Sequence, residues 1–558
     1  MNNEIDLGVK QNKKARPFSS RDYKNNAPAM TEEEWLGVPP EFDFFDEEIE
    51  SDVIICGAGI AGVAAARAAA EEGATVILFE KSKTIQARSG DFGTIGSRVS
   101  ARWGRDSKEN ISSVVADLMS ASNYRADHRI LKYWAEHSGE DLDWYIEAHP
   151  DLYISNYTLE PIPDGVKCAL LPERYPLPKH YNEEEEYFRC YQLTCRFRPS
   201  HYPVLKSNME KAEASGRIRA YYQTPVKKLL REGGGKVQGV VAVDINGKII
   251  KAAARNGVVL STGDYSGNLD MLYYYCPWTR LNPTFFTSVD ADNYYANTGD
   301  GHKMGMWIGA MMENNIHAAS THQMGGPFGI SAFLQLNING ERFMNEDCDG
   351  QKLDNKICTI PGATSWQIVD GGWREQLPYM SATHGSTAYF INSEDIEKGI
   401  VSDKVDPGQG YASQAYLDAA LTKGTTIQAD RLEELIEKTG LPKETALKSI
   451  ERYNELARKG VDLDFGKRAS RMFPIEKPPF YATRFQPAPL FNVSSGLVSD
   501  HEAHCYDKNW KIIPGLYVAG NVQGNRFGVE YPVIVPGISH SMALTYGRLA
   551  GKNAALGI

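Results

Sequence analysis

Gly57, Gly59 and Gly62 stand in the spacing G-x-G-x-x-G, and a carboxylate, Glu80, closes the next apolar run. Residues of these types at these positions suit a nucleotide. The first glycine permits a tight turn, the second leaves room for a pyrophosphate against the backbone, and the third lets a helix pack closely on a strand. Glu80 sits where a carboxylate accepts hydrogen bonds from a ribose. Further along, Thr262 and Gly263 end the apolar run that begins at Gly257, and small residues at the carboxyl end of a parallel strand allow close approach of a cofactor. Asp300 lies near the start of a helical stretch opened by Asn297-Thr-Gly-Asp-Gly301. The loop after Glu80 is rich in Gly, Ser and Thr, and Ser89, Gly90, Asp91 and Gly93 are candidates for hydrogen bonds to the same ligand.

The elements that must position these groups can be read around them. Val53 to Cys56 is a short apolar run fit for a buried parallel strand, an Ala-rich helix follows the glycines, and Ala74 to Phe79 forms the second strand. Together they make a dinucleotide-binding βαβ unit. Ser107 to Ala148 has helical periodicity, with aromatic pairs Tyr133-Trp134 and Trp144-Tyr145 read as core. Leu152 to Tyr202 is proline-rich and loop-like, and its acidic run Glu183 to Glu186 reads as a solvated face. Lys236 to Asp244 and Ile249 to Ala253 form a hairpin through Asn246-Gly247. From Glu313 to about Phe485 the pattern shifts to strand-like pieces, such as Ala332 to Asn337, mixed with amphipathic helices over Tyr411 to Leu421 and Ala429 to Lys459. An apolar strand, Gly515 to Gly520, and an Ala-rich helix from Ile538 to Ala555 then resume the first texture.

This order predicts an α/β protein in which a Rossmann-like domain is split by an inserted α+β capping domain. The expected boundaries are an arm over 1–45, the first part of the cofactor domain over 46–315, the cap over 316–484 and the second part over 485–558. In the arm, Thr31 and Glu34 can form a capping box.

The chain has 558 residues, 42% hydrophobic and 23% charged, enough for several structural units of ordinary globular composition. A net charge of −11 argues against nucleic acid or an anionic membrane as the main partner. No apolar run approaches the ~20 residues of a membrane span, and the first residues have no apolar signal core, so a cytoplasmic location is expected. The eight cysteines form no C-x-x-C pattern, Cys190 and Cys195 are expected as reduced thiols, and no histidine is placed for a metal site. Redox work would fall to a bound organic cofactor.

Four segments in this order, GAGIAG with Glu80, LSTGDYSGN, NTGDGHKMG and GLYVAGN with its terminal helix, resemble the flavoprotein subunits of fumarate reductase and succinate dehydrogenase, a family that includes 3-ketosteroid dehydrogenases and urocanate reductase. The resemblance covers about residue 50 to 558. It implies non-covalent FAD, a small-molecule substrate, an electron donor or acceptor that the sequence does not name, and hydride exchange between flavin N5 and a carbon–carbon unit. It extends the cofactor-binding set to Ala61, Lys81, Val226, Gly520, Asn521, Ser539 and His540, with the last helix aimed at the flavin.

Within that family the substrate grip distinguishes the branches. Fumarate and urocanate reductases carry an Arg ten residues after the acidic or amide residue of the AG-E/N motif. Counting from Asn521, that position holds Tyr531, while Arg526 lies five residues too early. Ketosteroid dehydrogenases have a Tyr there, whose hydroxyl binds a ketone oxygen with the backbone N–H of a following Pro-Gly. Here Tyr531 is separated from Pro536-Gly537 by additional residues, so the reach of Gly537 is altered. Arg342 belongs to the structural part of GERFMNE, no Arg follows that stretch, and FNVSSG replaces the HTMGG pattern. The resemblance thus implies an oxidoreductase acting on a C–C bond conjugated to the ketone of a bulky cyclic substrate of the 3-ketosteroid or bile-acid kind; the direction is set by substrate and electron partner, and reduction is the one expected. Tyr531 and Gly537 would hold the ketone, with His384 and Tyr389, and also His322, as candidates to supply a proton. Two alternatives stay open: a reductase of an unsaturated carboxylate of the fumarate, urocanate or cinnamate type using Arg526, and a flavin-binding protein without turnover.

Overall fold

The computed structural model describes residues 15–23, 27–105, 111–156, 162–173, 175, 177–182, 190–284, 294–323, 325–381, 383–384 and 414–558. Its largest sheet has eight strands. Glu47–Cys56 runs parallel to Val76–Phe79 on one side and to Ile249–Leu260 on the other. Ile218–Tyr221 extends one flank in parallel with Val76–Phe79, and Ile512–Val518 extends the other beside Ile249–Leu260. The register brings Cys56, Phe79, Leu260 and Val518 level, so the strands end along one edge. Gly57, Glu80, Thr262 and Gly520 therefore emerge together, although they are far apart in sequence.

Ile249–Leu260 is one strand where two were expected. Its first half pairs antiparallel with Val237–Val243 in the predicted hairpin, and its second half lies beside Val53 to Cys56 in the parallel core. The polar Arg255-Asn256 pair interrupts the apolar pattern because Arg255 reaches the surface, binding Asp52 at 2.8 Å and Glu50 at 3.0 Å.

Helices Ile60–Glu71 and Ile538–Leu556 meet backbone to backbone. A Cβ on Gly547 would lie 2.4 Å from the Ala61 carbonyl oxygen, and one on Gly551 would lie 2.2 Å from that of Ala65. Only small residues allow this approach, which explains the alanine and glycine content of both helices. His128–Glu147 packs against them, with Trp134 Nε1 donating to Ser541 Oγ at 2.8 Å and the Arg67 guanidinium 3.8 Å from the Trp144 ring. Of the aromatic pairs of this helix, Trp134, Trp144 and Tyr145 are core, as expected, while Tyr133 is only partly buried against it.

Residues between Leu334 and Phe485 build a separate antiparallel sheet in the order Leu334–Asn337, Ser365–Val369, Phe480–Phe485, Thr426–Ala429. Its apolar face is covered by Leu435, Ile436, Ile450 and Tyr453. These come from two helices, Leu432–Thr439 and Lys443–Lys459, where the periodicity predicted one. Gly440, left-handed at φ 75°, ends the first, and Pro442 stands immediately before the second. The helix read over Tyr411 to Leu421 is described as Gln414–Lys423.

The loop-like region after Leu152 contains strands that the sequence did not reveal. Asp91–Gly93, Thr194–Arg198, Ala169–Pro172 and Tyr153–Ile154 form a small sheet. Its acidic run, Glu183 to Glu186, lies outside the described residues. In the arm, the capping box of Thr31 and Glu34 is present, and Ser20 and Tyr23 tie the chain to Asp270, with the Tyr23 hydroxyl 2.8 Å from its carboxylate. All eight cysteines are free thiols. Among the described residues no helix is long and apolar enough to cross a membrane.

Candidate active site

The level strand ends open into a cleft of about 330 Å³, within the range of small-molecule sites. The glycine turn forms one wall. Gly57 has φ 105°, and a Cβ there would lie 2.5 Å from the Ser261 carbonyl oxygen. A Cβ on Gly62 would lie 1.8 Å from the Gly57 carbonyl oxygen. These two glycines are required by the packing of the chain itself. Gly59 differs: a Cβ there meets nothing nearer than the Gln86 carbonyl oxygen at 3.9 Å. Space is kept open beside it although the chain does not fill it.

Polar groups around that space suit a nucleotide. Glu80 is buried, and its carboxylate accepts from Ala58 N–H at 2.6 Å and from Ser82 N–H at 2.7 Å. Each oxygen retains a lone pair for a ribose hydroxyl. Lys81 Nζ lies 2.8 Å from the Asp300 carboxylate, and burial of Asp300 is outweighed by Lys81, which holds its pKa below the ordinary value. Thr262 Oγ1 is buried and has no hydrogen-bond partner among the described residues. Helices Ile60–Glu71 and Ile538–Leu556 both begin at the cleft, at Gly59 and Gly537, and neither start is capped by a side chain. Uncapped N–H groups and two positive helix ends favour an anionic ligand. Ala61, Ser89, Gly90, Val226, Gly263, Gly520, Asn521, Ser539 and His540 also line the cleft, whereas Gly62 supports the turn from behind.

Beyond the turn, Tyr531 and Gly537 line the cleft together. The Tyr531 hydroxyl lies 3.4 Å from Ser539 Oγ and 3.5 Å from Ser539 N. Both contacts are long. Burial raises the phenol's pKa, so the group stays a donor at neutral pH. Asp91 is clamped by Arg196, whose Nη2 is 3.0 Å away and whose Nε also contacts Glu173 at 2.8 Å. Burial would raise the Asp91 pKa, but Arg196 brings it down to about 2. Glu173 goes the other way, up to about 7, because burial and the Asp91 charge outweigh Arg196. The sequence showed neither Arg196 nor Glu173 as a site residue; their strands pair only in the folded sheet.

His384 Nε2 lies 3.9 Å from Asp91, and its ring meets His322 edge-on at 5.1 Å. His540 Nδ1 is 3.1 Å from the Asp91 carbonyl oxygen, and its ring stacks on Phe92. Tyr389 lies outside the described residues. Arg526 does not line the cleft. It is buried, donating from Nε to the Gln523 carbonyl at 3.0 Å and from Nη2 to Asn521 Oδ1 at 2.9 Å. Burial lowers its pKa to about 10 despite Glu313. Arg342 pairs with Glu346 and Asp462, as a structural residue would.

Among the described residues, Asp500, Glu502 and His504 form a group close enough to hold a metal. His504 uses Nδ1 on Asp500 at 3.0 Å and Nε2 on the Ile558 carbonyl at 3.1 Å, so the contacts of this cluster are internal.

His201 lines the cleft and is 1% exposed, with Nδ1 on the Tyr145 hydroxyl at 2.8 Å and Nε2 on the Arg88 carbonyl at 3.2 Å. Burial, reinforced by His540, lowers its pKa to about 3. A histidine that stays neutral in the fold but protonates at about 6.5 when unfolded contributes stability that is complete above that value and is lost as pH falls towards 3. Replacing His201 by Asn should therefore flatten the stability profile between pH 6 and 4 by up to ~1.4 kcal/mol per pH unit. Denaturant titrations of both proteins across this range measure the difference; identical slopes would contradict a neutral buried imidazole.

The match to known proteins agrees with this chemistry. Residues 52–533 match the family model described as an FAD binding domain. The chain is 28% identical to a 3-oxosteroid 1-dehydrogenase of Mycolicibacterium smegmatis, over 91% of this chain and 97% of that protein. It is 27% identical to digoxin reductase of Eggerthella lenta, over 91% and 88%. In fold it resembles the 3-ketosteroid Δ4-(5α)-dehydrogenase of Rhodococcus jostii RHA1 crystallised with 4-androstene-3,17-dione, with a TM-score of 0.67 at 22% identity, covering 93% of this chain and 100% of that one. With the glycine turn, the ribose acid and the paired helix ends converging on space that the chain leaves open, the protein belongs to the FAD-binding family and is an FAD-dependent oxidoreductase acting on CH–CH groups.

Proposed function

We propose that the enzyme reduces a carbon–carbon double bond conjugated to a ketone in a bulky cyclic substrate of the 3-ketosteroid or bile-acid kind. The observation that carries this reading is the exchange of roles between two residues. Tyr531, a neutral phenol, lines the cleft beside the uncapped start of the last helix, whereas Arg526 is withdrawn into the protein and bound to Asn521 and Gln523. Lys81 pairs with Asp300, Arg88 with Asp264 at 3.4 Å and Arg196 with Asp91 and Glu173, so these three cations at the cleft are matched by carboxylates. A ketone suits such a site better than a carboxylate, which needs an uncompensated charge.

FAD, when bound, supplies the hydride delivered to one carbon of the double bond. The chain supplies the rest. A ketone oxygen offered to Tyr531 competes with the long contacts to Ser539 and receives a stronger hydrogen bond as enolate charge develops. Gly537, at the start of the same helix, adds its backbone N–H and the positive helix end. His384, whose Nε2 lies 3.9 Å from Asp91, is placed to relay a proton taken up from solvent to the neighbouring carbon; burial, partly offset by Asp91, lowers its pKa to about 4, so the resting ring is neutral. The flavin domain comprises 46–315 and 485–558 and the capping domain 316–484, a division supported by the separate antiparallel sheet over Leu334 to Phe485. Relatives named for a 3-oxosteroid and for digoxin favour a large cyclic substrate.

Anaerobic reduction of the purified flavoprotein, followed by mixing with 4-en-3-one steroids and simple cyclic enones or with fumarate, urocanate and cinnamate, tests the proposal. Rapid flavin reoxidation by an enone is expected. Reoxidation by an enoate with none by any enone would overturn it.

A further inference from the structure

His322 follows the strand Ala319–Thr321, whose antiparallel partner Leu490–Val493 carries Phe491. Its side chain lines the cleft and is 9% exposed. Nδ1 is buried and has no partner among the described residues, whereas Nε2 is not among the buried atoms and likewise receives no hydrogen bond from a described residue. The ring cannot readily turn to find one. It stacks on Phe491 at a centroid distance of 5.0 Å and 23° between planes, and the His384 ring abuts it edge-on at 5.1 Å. Nε2 is therefore the ring atom open to the cleft, and a neutral polar group that pairs with it offsets part of the cost of holding an imidazole without partners in the protein.

The surroundings define the group that fits. Burial, with repulsion from His384, lowers the His322 pKa to about 3 despite the attraction of Asp91. The ring is therefore neutral, with one nitrogen donating and the other accepting. A hydroxyl can use both functions in turn and a ketone can accept; an ion gains no opposite charge. His322 also belongs to a different element from Tyr531, with His384 and Asp91 between the ring and the start of the last helix.

We infer that His322 is a specificity residue that binds a second neutral oxygen of the substrate, a hydroxyl or a ketone, other than the oxygen held by Tyr531. The inference rests on the proposed function in taking a rigid ketone as the occupant of the cleft. The enzyme then prefers ring systems oxygenated at both ends over those with a single oxygen.

The test is binding of two saturated ketones to the oxidised holoenzyme, read as perturbation of flavin absorbance. The probes are 5α-androstan-3-one and 17β-hydroxy-5α-androstan-3-one, which differ in one hydroxyl and need no turnover. Wild type should bind the hydroxylated ketone about 3- to 10-fold more tightly, as one neutral hydrogen bond to a buried group allows. His322→Phe should erase that preference while leaving the Kd of the other ketone unchanged, and His322→Asn, which keeps an N–H donor, should restore part of it. Equal affinities in wild type, or a preference that survives in His322→Phe, would overturn the inference. So would a changed flavin spectrum in unliganded His322→Phe with both affinities shifted together, since the ring would then serve the flavin. Tyr531→Phe separates this inference from the reading on which it rests: it should weaken both ketones alike. If it affects neither while His322→Phe abolishes the preference, the ketone grip at Tyr531 fails and the role of His322 stands.

Discussion

Tyr531→Phe should lower enone turnover by ~10² or more with flavin content unchanged. The substitution keeps the ring, which packs edge-on against Phe527 at 5.5 Å, and removes the hydroxyl. That hydroxyl makes only long contacts to Ser539, so the folded state loses little. The loss falls mainly on the transition state, where enolate charge strengthens a hydrogen bond from a buried donor. A fall in kcat that exceeds the rise in KM is the expected signature, since the same hydrogen bond is weaker to the ground-state ketone. Arg526→Gln should behave differently, lowering stability through its contacts to Gln523 and Asn521 while the correctly folded fraction keeps enone activity. Steady-state kinetics normalised to bound flavin distinguishes the two. A fully active Tyr531→Phe enzyme beside an inactive, stable Arg526→Gln enzyme would favour the unsaturated-carboxylate reading.

Gly59→Leu should give a folded but colourless protein. A Cβ at this position meets no protein atom nearer than 3.9 Å, so the larger side chain enters the space beside the glycine turn. A pyrophosphate cannot share that volume with an isobutyl group. Gly62→Leu is the contrasting case, because its Cβ would collide with the Gly57 carbonyl at 1.8 Å and force the helix off the strand. The ratio of flavin to protein absorbance, measured beside far-ultraviolet circular dichroism, separates loss of cofactor from loss of fold. Full flavin occupancy in Gly59→Leu would refute the role given to this glycine. Apoprotein with native helicity but a lowered Tm is the expected outcome, since FAD no longer stabilises the folded state by binding it.

The parts that were legible in the sequence share a physical property: their meaning lies within a short segment. A turn needing φ 105° at Gly57, an uncapped helix start at Gly59 and an acid ending the next strand act over distances that neighbouring residues set. The same holds for the capping box of Thr31 and Glu34. Misjudged boundaries had local causes that periodicity overlooks. Gly440 and Pro442 divide one amphipathic pattern into two helices, and Ile249–Leu260 serves two partners in succession.

The substrate side of the cleft was much less legible. Tyr531 could be placed by register against a family pattern, but nothing near it announced Arg196, Glu173 or the isolation of His322. Asp91 meets Arg196 because the strands Asp91–Gly93 and Thr194–Arg198 pair across the fold, and His322 meets Phe491 because Ala319–Thr321 lies beside Leu490–Val493. Sequence alone thus determined the βαβ unit and with it the nucleotide, because backbone conformation and phosphate approach are encoded by adjacent residues. Tertiary structure alone decided that Arg526 is buried scaffold, that Arg196 lies between two carboxylates, and that the His322 imidazole lines the cleft with no hydrogen bond to a described residue. Charge balance and desolvation depend on which side chains from distant strands share one low-dielectric space, and packing rather than spacing sets that.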